Sequence, residues 1–197
     1  MKRRRFIKAL ALGSTVLGYG SLYASKRESR WNNLSLVKFC RESERKIPAI
    51  DSVDVVVLGG STSAVAAAAE ASRKGARVFL IAPRLYLGED MCSTLRLEID
   101  SERKFKTALE EKIFGNHLHT TPTRVKETLT KVLEDSGVEF VFGSLVADLL
   151  WEEEGKPAGI VMANRAGRQA LKTKVIIDAT ERAWTCRMAG AKIQHWN

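Results

Sequence analysis

The chain is short of cysteine: three in 197 residues, Cys40, Cys92 and Cys186. The number is odd and no two stand in a C-x-x-C or zinc-type spacing, so neither a disulfide framework nor a metal centre is signalled, although one pair could oxidise outside the cytoplasm. Proline (4) and glycine (14) are too few for a collagen-like or low-complexity chain, and 45% apolar residues exclude intrinsic disorder. No internal repeat is visible. Net charge is also scarce once the amino terminus is set aside. Residues 1–30 hold eight Lys/Arg against one acid, Glu28, whereas the remainder holds 24 basic and 22 acidic residues. The basic surplus belongs to the leader, and a body so nearly neutral has no electrostatic footprint for polyphosphate, which argues against a nucleic-acid partner. The length fits one domain with a moderate core.

The leader opens Met1-Lys2-Arg3-Arg4-Arg5-Phe6-Ile7-Lys8 and continues through Ala9–Ala24, a weakly apolar stretch of 16 residues interrupted by Gly13, Gly18 and Gly20. That is the size of a signal peptide and short of a membrane span. The segment Arg3–Lys8 resembles the twin-arginine export signal of bacteria, which implies export of an already folded protein to the periplasm or beyond. The best small-residue cleavage site follows Ala24, with Leu22 three positions from the cut. Cleavage of residues 1–24, retention as an uncleaved membrane anchor, and an ordinary basic amphipathic start are all open readings. Residues 25–52 are polar and mixed in charge and read as a linker, with the domain expected over 53–197.

Asp54-Val55-Val56-Val57-Leu58 is a continuous β-branched run, the pattern of a parallel strand buried on both faces. Gly59-Gly60-Ser61-Thr62-Ser63-Ala64 turns the chain, Ala64–Lys74 carries small residues at helical spacing, Gly75 stops the helix, and Arg77–Ala82 is a second strand. A strand, glycine turn, helix and strand in about 30 residues form a phosphate-binding unit. The helix amino terminus offers unpaired N–H groups, and glycines let a pyrophosphate approach them. Gly59 fits the first glycine of the dinucleotide fingerprint and Ala64 the small third position. Ser61 stands at the second, where a Cβ costs about 1–2 kcal/mol if the backbone is left-handed; its hydroxyl could instead donate to phosphate. Ala82 stands where an acid would hold a ribose, and Arg84 two residues later could meet a phosphate, which leaves NADP open. A plain α/β crossover whose glycines only turn the chain is the alternative.

Beyond the second strand, Pro83–Leu97 is a long loop at the carboxyl end of a parallel strand, the edge that lines a ligand crevice. A short helix carries Phe105, Leu109 and Ile113 and ends at Gly115. Another opens at Thr121-Pro122, with its apolar stripe at Val125, Leu129, Val132 and Leu133. Val138–Phe142 is a third strand. Leu145–Trp151, Ala158–Met162 and Gln169–Lys172 read as an antiparallel meander, and Val175–Ala179 returns as a buried strand before a helix that stops near Gly190. The fold class is thus α/β: a Rossmann-like parallel sheet with inserted helices and a three-stranded meander.

This order resembles the glutathione-reductase-type flavoprotein fold, and more closely the amino-terminal part of secreted bacterial FAD-dependent oxidoreductases. The resemblance is carried by Val55–Ala68, by Pro83–Leu97 with Leu87-Gly88-Glu89-Asp90, and by Val175–Gly190 with Ile177-Asp178-Ala179-Thr180. It implies FAD as cofactor, with the diphosphate on Gly59, Gly60, Ser61, Thr62, Ser63 and Ala64. It further implies Ala82 and Arg84 beside the ribose, Gly88, Glu89 and Asp90 in the loop along the flavin, and Ala179 and Thr180 closing on the adenosine half. Glu181 replaces a family glycine and brings negative charge toward phosphate. Family members are several hundred residues long, so the expectation is a domain incomplete at its carboxyl end, inactive alone and completed by a missing portion or second subunit. The implied reaction is hydride transfer from a small organic substrate to flavin; a non-catalytic remnant or interaction module that keeps the fold without cofactor is the alternative.

Linear spacing assigns no catalytic residue. His117 and His119 read as solvated loop histidines in preference to metal ligands, and Cys92 and Cys186 as small apolar packers in preference to redox thiols. Glu89 and Asp90 either position a ligand or cap a helix.

Overall fold

The computed structural model describes residues 44–100, 105–152 and 155–194. The leader and Cys40 lie outside the described residues. The compact unit Lys46–Asn197 runs β1 (Ala49–Leu58), α1 (Thr62–Arg73), β2 (Val78–Ile81), α2 (Glu89–Cys92), α3 (Ala108–Phe114), α4 (Pro122–Asp135), β3 (Glu139–Val141), β4 (Leu145–Trp151), β5 (Pro157–Asn164), β6 (Gly167–Asp178) and α5 (Trp184–Met188). Six strands make one sheet in the order β3-β2-β1-β6-β5-β4. β3, β2, β1 and β6 are parallel, while β6, β5 and β4 form the antiparallel meander. This is the expected α/β, Rossmann-like arrangement.

Two boundaries differ from the sequence reading. β1 begins at Ala49, inside the expected linker, because Ala49–Val53 pairs with Ala170–Thr173. The meander's last strand and the return strand are one element, β6: Gly167–Lys172 pairs with β5, and Ala170–Asp178 pairs with β1. The polar break at Lys172 and Lys174 that suggested two strands is an alternation, with Leu171 and Thr173 buried and both lysines outward. Lys174 Nζ lies 2.7 Å from Asp54 Oδ1 on the neighbouring strand.

The β-branched run of β1 divides its side chains between the two faces. Val55 and Val57 pack with Ala64, Val65 and Ala68 of α1 and Val125 and Leu129 of α4. Val56 and Leu58 pack with Ile81 and with Leu149, Ile160 and Leu171 of the meander. Ala64 and Ala68 are fully buried, and their small size is what lets α1 lie close to the sheet. Side-chain caps start three helices: Ser61 on α1, Thr107 with a reciprocal Glu110 on α3, and Thr121 ahead of Pro122 on α4.

Candidate functional site

The site begins where β1 ends. Gly59 has φ +123°, and a Cβ there would lie 2.6 Å from the Ala179 carbonyl oxygen. The turn therefore needs glycine on two counts, backbone conformation and the close approach of the chain leaving β6. Gly60 packs near Ala82 and its carbonyl accepts from Gly88 N at 2.7 Å. Ser61 has φ −73° and ψ 167°, so the left-handed penalty considered from sequence does not arise: the residue is the N-cap, its hydroxyl accepting from Ala64 N at 3.2 Å. Its Oγ also lies 2.8 Å from Ser63 Oγ. Among the described residues, the N–H groups of Gly60, Ser61 and Ser63 have no hydrogen-bond partner. They are donors at a helix amino terminus left for something else to satisfy.

The loop after β2 is folded back on this turn. Gly88, at φ +77°, faces α4, where a Cβ would meet Val125 and Leu129 at 2.6 and 2.9 Å. Arg84 and Glu89 approach to 3.6 Å. Asp90 accepts from Thr62 N at 3.0 Å and from Thr62 Oγ1 at 2.5 Å. Of the two roles open to Asp90 from sequence, capping is thus the one in place, and the helix capped is α1. Ala82 is wholly buried, its N–H bonded to Val141 O and its carbonyl accepting from Ser144 N.

Opposite the glycine turn, the chain leaving β6 is organised by Asp178, to which no role had been given. One carboxylate oxygen accepts from Thr180 N (3.0 Å) and Thr180 Oγ1 (2.5 Å), the other from Thr185 N (2.7 Å) and Cys186 N (3.1 Å). Burial pushes the Asp178 carboxyl up, but the four hydrogen bonds outweigh it and hold it below its ordinary value of 3.8. The signal was in the sequence: an acid ending an apolar strand must find donors. Ala179 N donates to Leu58 O at 2.9 Å, which ties this loop to the end of β1. Ala183, at φ 49°, turns the chain into α5.

Two cavities flank the turn. The larger, about 600 Å³, lies at the carboxyl ends of β1 and β2 and is lined by Leu58, Gly59, Ile81, Arg84, Glu89, Thr180, Glu181, Trp184 and Thr185, among others. Thr185 is 3% exposed, and its hydroxyl has no partner among the described residues. The smaller, about 340 Å³, is lined by Thr62, Ser63, Met91, Arg96 and Phe114 with neighbours from α3. The sequence candidates thus separate. Gly59, Arg84, Glu89 and Thr180 reach the first cavity, Thr62 and Ser63 the second, and Gly60, Ser61 and Asp90 lie along the turn. Ala64 and Ala82 are core, Gly88 is packed under α4, and Ala179 holds the loop to β1.

Burial raises the Cys92 thiol above its ordinary value, with Lys126 opposing and Asp90 adding, so little reactive thiolate is available. Cys92 packs on the helical core, its Sγ 3.7 Å from Pro122 O. His119 is exposed and pairs with Glu98 at 3.5 Å. Among the described residues no three His, Cys, Asp or Glu gather as metal ligands, and no helix is long and apolar enough to cross a membrane.

A β-α-β unit with unsatisfied amides at its glycine turn and a cavity at the strand ends defines a dinucleotide-binding α/β domain. The chain belongs to the FAD dependent oxidoreductase family, whose model matches residues 54–195. No curated protein sequence matches it. Among solved structures it is similar to THI4 of Thermovibrio ammonificans (TM-score 0.55, 16% identity, covering 90% of this chain and 71% of that one). It is also similar to a geranylgeranyl bacteriochlorophyll reductase-like protein of Thermoplasma acidophilum (TM-score 0.50, 20% identity, 74% of this chain and 44% of that one). A third similarity is to the anhydrotetracycline hydroxylase OxyS of Streptomyces rimosus (TM-score 0.51, 16% identity, 74% and 35%). At these identities the likeness is one of fold. The chain spans under half the length of the last two.

FAD is the cofactor of the family, and the residues present fit its ADP half. The free amides of Gly60, Ser61 and Ser63 suit a diphosphate, a Cβ at Gly59 would close the turn, and the orphaned Thr185 hydroxyl lies in the wall of the larger cavity.

Proposed function

We propose that this chain is the FAD-binding portion of an exported oxidoreductase that takes a hydride from a small organic substrate. The observation that carries the reading is the row of unpartnered amides at Gly60, Ser61 and Ser63 on the turn that runs from Gly59, in the wall of the larger cavity, to Ser63, in the wall of the smaller. In this reading Gly59 to Ser63 hold the diphosphate, Thr180 and Trp184 flank the adenosine, and Arg84 approaches the ribose side where Ala82 supplies no acid. Bound FAD supplies the two-electron acceptor; the chain contributes position and electrostatics. The resemblance of Arg3–Lys8 to a twin-arginine signal supports export, with the leader either cleaved near Ala24 or kept as an anchor.

The test is the absorption spectrum of the purified full chain before and after addition of FAD and removal of excess. Retained flavin bands are expected. A folded, colourless protein that ignores FAD overturns the reading and favours the interaction-module alternative, for which the acids Glu181 and Asp90 beside the phosphate path speak.

A further inference from the structure

Asp90 stands in an unusual place for a chain that is to receive a diphosphate. Its carboxylate makes both of its hydrogen bonds, among the described residues, to Thr62, the first residue of α1. It therefore occupies one of the donors, and the favourable end of the helix dipole, that the diphosphate of a dinucleotide would use. Its position along the chain is equally telling. Glu89, immediately before it, lines the larger cavity, and Met91, immediately after it, lines the smaller one. On the other side of the contact, Gly59 lines the larger cavity and Thr62 the smaller. An extended dinucleotide with one half in each cavity must cross between them at the Thr62–Asp90 pair. Arg84, in the wall of the larger cavity, is already directed to Glu89.

We infer that the Thr62–Asp90 pair is a carboxylate latch across the dinucleotide path, one that must open for FAD to bind. The inference rests on the FAD reading above and adds to it a determinant of affinity that is separate from the cavity walls. The carboxylate stands in for the ligand's own negative charge, so cofactor uptake breaks two hydrogen bonds and brings two anions together unless Asp90 swings away. A ligand confined to the larger cavity does not meet the latch.

The test measures dissociation constants of the full chain for FAD and for adenosine, by flavin and tryptophan fluorescence, in the native protein and in Asp90→Asn and Asp90→Ala. Asparagine keeps an oxygen for Thr62 N while removing the charge, and alanine opens the latch outright; circular dichroism establishes that each variant is folded. The latch predicts at least tenfold tighter FAD binding in both variants, about 1.4 kcal/mol, with adenosine affinity unchanged. FAD affinity that is equal or weaker in the variants overturns the latch while leaving the FAD reading intact. A gain shared equally by adenosine also overturns it, since the effect would then lie in the cavity. Absence of FAD binding in all three proteins overturns the latch together with the reading beneath it.

Discussion

Gly59 and Asp178 hold the two sides of one contact, the meeting of the β1 turn with the loop after β6. A methyl group at Gly59 meets the Ala179 carbonyl at 2.6 Å on a backbone at φ +123°. Gly59→Ala is therefore expected to lose about 1–3 kcal/mol from strain alone, read as a lower urea midpoint, and to weaken FAD binding by displacing the turn. Asp178→Asn sets an amide NH2 against backbone donors that now have a carboxylate, and is expected to cost about 1–3 kcal/mol. Because the folded carboxyl lies below its ordinary value, its contribution to stability is complete above that value and disappears as pH falls through the lower, native one. Denaturation midpoints between pH 6 and pH 3 should show this acid-side loss in the native chain, and a smaller loss in Asp178→Asn. Gly59 was legible because the fingerprint demands it, whereas the need of Asp178 for donors was legible but their identity was not: the chain beyond β6 turns Thr180, Thr185 and Cys186 back onto its carboxylate. Ser61 was legible as a departure, but its sign was not: a capping serine with negative φ carries none of the cost of a left-handed one.

Elements were legible where period and punctuation agreed. Pro122–Asp135 is a helix because Val125, Leu129 and Leu133 repeat on one face behind a Thr-Pro start, and all three are fully buried. Leu129→Ala should cost about 2–5 kcal/mol, since Leu129 also underlies Gly88 and with it the loop that carries Asp90. Thr121→Ala, which removes only the cap bond to Arg124 N, should cost about 1 kcal/mol; thermal unfolding measures both. The join of two expected strands into β6 was not legible, because a strand shared by a meander and a parallel sheet changes pattern midway. Its first part alternates, one face outward, and its second is a β-branched run beside β1.

At the scale of the whole molecule, the parallel half of the sheet places the glycine turn, the β6 loop and the larger cavity at one edge, as an open α/β sheet does. The fold could be read because the β-α-β unit and the return strand recur with the right spacing. The site could be read only in part, because its free amides depend on a turn geometry that residue types do not specify, and because the contact of Asp90 with Thr62 joins residues 28 positions apart. Large apolar side chains are exposed at the cavity rim, among them Leu145 and Trp184 at 61% and 56%. Fluorescence titration of FAD into the folded full chain, followed by addition of ADP, tests the central claim most directly. The account predicts saturable quenching of the flavin that ADP reverses, because both ligands claim the amides of Gly60, Ser61 and Ser63. A natively folded chain whose added FAD stays fully fluorescent, or whose quenching ADP leaves untouched, would contradict it.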